Sequence, residues 1–109
     1  VYRTFNMINL TVFKYGTMLW FLKGIRHRAN GPAIAYLDGV EDWFWNGLLH
    51  RDGGPAIKGP GLTIGWYQHG KLHNTTGPAR IKEDGKTEYY INDKPLSEYE
   101  FMFVTGETV

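Results

Sequence analysis

The sequence predicts an all-β chain, an antiparallel meander of 23-residue hairpin repeats closed by a short C-terminal capping helix. Three observations point there. Nearly one sentence is written three times, as WFLKGIRHRANGPA from Trp20, WFWNGLLHRDGGPA from Trp43 and WYQHGKLHNTTGPA from Trp66. The 109 residues include 7 Tyr, 6 Phe and 4 Trp beside 14 Gly, a mixture of flat bulky side chains and turn formers that suits strands better than helices. Finally, Ser97-Glu98-Tyr99-Glu100 has the spacing of a helix capping box.

Taken in order, Val1 to Val12 holds Phe5, Met7, Ile8, Leu10 and Val12 and is expected to supply one or two leading strands. Phe13-Lys14-Tyr15-Gly16 stands one period before Tyr36-Leu37-Asp38-Gly39, so residues 1–19 read as leading strands and a half repeat. Residues 20–42, 43–65 and 66–88 are full repeats, and 89–109 is a half repeat with a cap. All of it, 1–109, reads as a single repeat domain, because units of fixed period bury their apolar faces against one another.

Trp20, Trp43 and Trp66 are one invariant column; Gly24, Gly47 and Gly70 are another; His27, His50 and His73 a third; the Gly-Pro-Ala triplets complete the set. Lys23-Gly24, Asn46-Gly47, His69-Gly70 and Asn92-Asp93 mark one hairpin turn per period, and Asp38-Gly39 and Asp84-Gly85 mark a second. In the middle repeat Lys58-Gly59-Pro60-Gly61 stands in for Asp-Gly, which still turns the chain and is expected to lengthen or distort the connection. Gly-Pro-Ala begins each returning strand where proline's missing amide does no harm, and its recurrence predicts a repeated kink. The helix should start after Ser97, with Tyr99, Phe101, Met102 and Phe103 laid on the sheet as a lid.

Strand side chains alternate between faces. Trp20, Trp43, Trp66 and Tyr89 therefore stack in one column, and Phe21, Phe44, Tyr67 and Tyr90 in a second on the reverse. Both faces are aromatic, and a meander this short covers only one with its own ends, so the sheet either curls on itself or leaves an apolar strip for another molecule.

The 23-residue period, the aromatic-x-x-Asn-Gly-x-x-His core and the later Asp-Gly resemble MORN repeats over roughly residues 13 to 94. The position after His, usually glycine, is Arg28, Arg51 or Asn74 here, and Gly-Pro-Ala replaces a plainer Gly-x-Gly. The chain is more similar to the variant Trp-Tyr-x-Asn-Gly-x-x-His-Arg-x-x-Gly-Pro-Ala repeats of short proteins from tailed phages and bacteria. The resemblance implies stacked hairpins and a contact surface for protein or lipid. It carries no catalytic residue across.

Chemistry leaves few signatures. Twelve Lys plus Arg against 11 Asp plus Glu give +1, too little to draw in nucleic acid or anionic membrane by general field. With no cysteine there is neither a disulfide framework nor a thiolate metal site, and a reducing compartment is compatible. No apolar run approaches the roughly 20 residues of a membrane span, and VYRTFNMINL lacks a signal-peptide layout, so a soluble protein is expected. The sequons at Asn9 and Asn74 matter only after secretion. The His column, with His69 beside it, has a spacing of roughly 9.5 Å along the sheet, too wide to cage one zinc. Those imidazoles are expected to bond turn carbonyls or pack beside the tryptophans. Arg28 and Arg51, joined by Arg26, Arg80 and Lys71, offer single-stranded nucleic acid or a nucleotide an alternative site; otherwise Asp38, Glu41, Asp42 and Asp52 are their expected partners. Ser97 is the only serine and is used as a cap, and no Gly-rich stretch leads into a helix as a phosphate loop.

The sequence therefore reads as a non-catalytic protein-binding module without cofactor or metal. Trp43, Phe44, Trp45, Trp66, Tyr67 and Tyr90 are the candidate anchors, with Arg28 and Arg51 as polar contacts. The resemblance places it as a small phage accessory protein in the host cytoplasm, inhibiting a host enzyme or defence complex. Self-association into a homodimer through a free sheet edge is expected, and a structural subunit of a larger assembly is the third reading.

Overall fold

The structure, a computed structural model, describes residues 8–12 and 16–108. The sequence expectations for Val1 to Met7 and for Phe13 to Tyr15 lie outside those residues. In chain order the elements are β1 (Ile8–Val12), β2 (Met18–Leu22), β3 (Ile25–Arg26), β4 (Ile34–Ala35), β5 (Glu41–Asp42), β6 (Phe44–Trp45) and β7 (Leu48–Leu49). There follow β8 (Ile57–Lys58), β9 (Ile64–Gly65), β10 (Tyr67–Gln68), β11 (Lys71–Leu72), β12 (Arg80–Ile81), β13 (Thr87–Ile91), β14 (Lys94–Leu96) and α1 (Glu98–Thr105). The fold is an all-β antiparallel meander with one short terminal helix.

The principal sheet runs β1-β2-β4-β5-β8-β9-β12-β13-β14, with β3 beside β2, and two small pairs, β6-β7 and β10-β11, stand off it. Each period has the same plan. An outgoing strand pairs in the principal sheet up to the residue before the indole and then turns over into a hairpin. The bend is fixed by backbone bonds from Trp20 to the Ala33 carbonyl at 2.8 Å, and from Trp43 to Ala56 and Trp66 to Ala79 at 2.7 Å. Ala33, Ala56 and Ala79 are fully buried there, which accounts for the alanine of Gly-Pro-Ala: a methyl fills the space and a longer side chain finds none.

Register repeats with the sequence. Leu19 pairs with Ile34, Asp42 with Ile57 and Gly65 with Arg80, while in the hairpins Phe21 faces Arg26, Phe44 faces Leu49, Tyr67 faces Leu72 and Tyr90 faces Pro95. The hairpin turns take positive φ at both central residues, from Lys23 at 51° and Gly24 at 78° to Asn92 at 48° and Asp93 at 69°, the geometry whose twist suits a two-residue loop. The Asp-Gly turns are built differently: the Gly39 amide returns to Tyr36 and the Asp38 carboxylate accepts from Val40, leaving only the glycine left-handed. In the middle repeat Leu62 returns to Gly59 across Pro60-Gly61. Ile57 still faces Gly65, as Ile34 faces Asp42 and Arg80 faces Glu88, so the substituted turn does not lengthen the connection.

α1 begins as expected. The Ser97 hydroxyl accepts from the Glu100 amide at 3.1 Å, and the Glu100 carboxylate accepts from the Ser97 amide at 2.9 Å. Phe101 is fully buried with its ring 4.6 Å from that of Tyr89, closing the end of the indole column. The lid is narrower than the sequence suggests, because Tyr99 and Phe103 are 79% and 87% exposed. The molecule measures 54 × 28 × 17 Å, and no helix of the described residues is long and apolar enough to cross a membrane.

Candidate protein-binding faces

The hairpins stand side by side, and each is tied to the next by the recurring histidine. His27 Nδ1 accepts the amide of Asn46 at 2.9 Å, His50 that of His69 at 2.9 Å, and His73 that of Asn92 at 3.1 Å. A turn amide, rather than the expected turn carbonyl, is thus the partner, and each imidazole presents Nδ1 as an acceptor with its proton on Nε2. Beside each of these bonds a backbone bond runs between the same neighbours: Gly47 to Arg26, Gly70 to Leu49 and Asp93 to Leu72. The invariant His is therefore a latch between consecutive units.

The arginine after it is also committed. The Arg28 guanidinium lies 3.9 Å over the Trp20 ring and donates to the Pro32 carbonyl; Arg51 lies 3.8 Å over Trp43 and donates to Pro55. Neither carries an ion pair to Asp38, Glu41, Asp42 or Asp52. A side chain on Gly31 would reach within 2.6 Å of the Arg28 guanidinium and one on Gly54 within 2.8 Å of that of Arg51, whereas at Gly77 the nearest atom, of Asn74, is 3.7 Å away. The glycine of Gly-Pro-Ala leaves room for the stacked arginine. In the third loop Asn74 donates to Pro78 at 2.9 Å and so replaces the bond without the stack.

Alternation about the bend defines two faces. On the indole face Trp45 sits between two imidazoles, 4.3 Å from the ring of His27 and 6.5 Å from that of His50. Its cross-strand neighbour is Leu48, and in the preceding hairpin Leu22 faces Ile25. Ile25, Trp45 and Leu48 are 50%, 40% and 49% exposed, a contiguous apolar surface over two neighbouring hairpins. In the next two hairpins the position of Ile25 and Leu48 is taken by Lys71 and Lys94. Trp43 and Trp66 belong to this face but are half-buried, Trp43 beneath Arg51. Trp66 lines a cleft of about 510 Å³ with Gln68, His73 and the loops 51–54 and 74–76.

The reverse face carries Phe44, Tyr67 and Tyr90, each half-buried. Arg26 lies 5.6 Å over Phe44; Arg80 donates to the Tyr90 hydroxyl at 2.9 Å and to Glu88 at 2.6 Å. That bond raises the guanidinium's affinity for its proton and holds the Glu88 carboxyl below its ordinary range. Tyr67 lies across Gly65, where a side chain would meet its ring at 2.7 Å, and burial first, opposed by nearby Arg80, raises its hydroxyl pKa. Beside them runs an open groove of about 810 Å³ lined by Ile57, Gly65, Tyr67, Arg80, Lys82 and Asp84. Nearer the N-terminal end Asp42 is raised mainly by burial, against the opposing hydrogen bond from Tyr36 and the charge of Arg26.

The candidate residues therefore divide between two faces. Trp45 is the exposed anchor of one, Tyr67 and Tyr90 belong to the other, and Arg28 and Arg51 are spent inside the loops. Sequence reasoning passed over Ile25 and Leu48, whose signal is that apolar residues stand just after a hairpin turn where later repeats have lysine. It passed over Gly65 as well, the one member of the Leu19, Asp42, Gly65, Glu88 column without a side chain. Compared with family models, curated proteins and solved structures, the chain matches none. Among the described residues no group of three or more His, Asp or Glu side chains is gathered as for a metal.

Proposed function

We propose that the chain is a non-catalytic protein-binding module of MORN type, presenting a stiff row of hairpins to its partner. One observation carries the reading: Ile25, Trp45 and Leu48 stand exposed on one face of adjacent hairpins whose own backbone bonds are satisfied. Such a surface stays wet in the free chain and gains by being covered, and aromatic side chains dominate the energy of contacts of this kind. The narrower role, a phage accessory protein that blocks a host enzyme or defence complex in the host cytoplasm, rests on the resemblance of the repeated sequence.

The test is capture from an extract of the native host with the tagged chain and with Trp45→Ala and Ile25→Glu. The wild type should retain a protein across a salt series from about 50 to 500 mM, where phosphate-mediated binding falls steeply. Both variants should release it. A partner retained equally by all three chains, or lost with rising salt and replaced by nuclease-sensitive material, refutes the reading.

A further inference from the structure

α1 is apolar around most of its circumference, a pattern that belongs to a helix covered on more than one side. Phe101 alone is buried; Tyr99 and Phe103, one turn apart, project away from the chain. The indole face offers a second uncovered apolar surface, at Ile25, Trp45 and Leu48. The two lie on the same face, since Phe101 packs on Tyr89 of the indole column. α1 follows the fourth hairpin, whereas the apolar surface spans the first two.

Charge matches them as well. Residues 97–108 carry Glu98, Glu100 and Glu107 and no cation, whereas the apolar surface is flanked by the cations Lys23 and Lys71. Among the described residues no ion pair is made by Lys23 or Lys71, which border the apolar surface, or by Glu98 or Glu107. Two chains laid face to face and antiparallel put each helix over the other's first two hairpins, so one two-fold axis covers all four surfaces.

We infer that the protein taken up by the indole face is a second copy of this chain, with Tyr99 and Phe103 of each α1 seated on Ile25, Trp45 and Leu48 of the other. The inference rests on the protein-binding reading of that face and names its partner. The reverse-face groove beside Tyr67 stays open in such a pair. Sedimentation velocity of the full chain over a concentration series should show a reversible dimer. Phe103→Glu and Ile25→Glu should each raise the dissociation constant at least about tenfold, with the β-sheet circular dichroism unchanged, because both side chains are exposed.

The natural sequence has no cysteine, which permits a pairing test. Ile25→Cys mixed with Phe103→Cys should form a mixed disulfide much faster than either variant alone forms its own. A monomer at every concentration, a dimer indifferent to both glutamate variants, or cross-linking no faster in the mixture overturns the inference. A monomer that still captures a host protein through Trp45 overturns it too, and leaves the protein-binding reading standing.

Discussion

His27 Nδ1 accepts the backbone amide of Asn46, 19 residues ahead, and so fastens one hairpin to the turn of the next. His27 is also the one buried polar residue among those described, at 5% exposure. Replacing it by alanine leaves the amide without its acceptor and opens space beside Trp45. His27→Ala is expected to lower the unfolding free energy by about 1 to 3 kcal/mol in urea denaturation. His73→Ala, at a more open latch, should cost less.

Gly31 and Gly77 occupy equivalent positions with different neighbours. In Gly31→Ala the Arg28 guanidinium must leave its stack on Trp20, and the loss should be about 1 kcal/mol. Gly77→Ala should stay within about 0.5 kcal/mol of the wild type. The Gly31→Ala cost should shrink markedly in an Arg28→Ala background, a non-additivity that a double-mutant cycle reads directly.

Lys23 and His69 hold left-handed backbone at φ 51° and 48° in turns where Asn46 and Asn92 do so at less cost. Lys23→Asn should therefore stabilise the fold by a few tenths to about 1 kcal/mol, seen as a rise of a few degrees in the thermal midpoint. A fall would show that the lysine stem contributes packing that outweighs the strain.

Acid should weaken the C-terminal half first. Glu88 is lowered by its bond from Arg80, and Glu100 by its bonds with Ser97. A lowered folded-state value means stability that is present above the ordinary glutamate value of about 4.3 and lost as pH falls through the folded one. Asp42, raised by burial, has the opposite sign: its penalty is relieved as pH falls through its folded value. Amide exchange followed below about pH 4.3 should report opening at β13 and α1 before β5. Glu88→Gln should flatten that acid response.

Much of this architecture was legible because the sequence repeats, and physical constraint repeats with it. The hairpin turns followed from Asn-Gly and its equivalents, and the helix start from Ser97 and Glu100. The bend at each indole was visible only as a recurring proline. Its cause, a backbone bond from tryptophan to a buried alanine, joins residues 13 apart and has no periodic signature. The partners of Arg28 and Arg51 were hidden for a related reason: an arginine beside aromatics reads as a binding group, and its bonds to its own loop's proline carbonyl and its stack on its own repeat's indole leave no mark in the sequence. Tyr99 and Phe103 misled in the other direction, since an eight-residue helix has room to bury little more than Phe101.

The histidine latch also sets how such a chain can change in length. Every fastening runs forward from one unit to its immediate successor, and its register advances by the same step each time. A complete unit can therefore be inserted or removed without shifting the register of the remaining latches, provided the helix still closes the last ring of the column. The length of the row becomes a quantity adjustable in whole increments, as on a measuring rod.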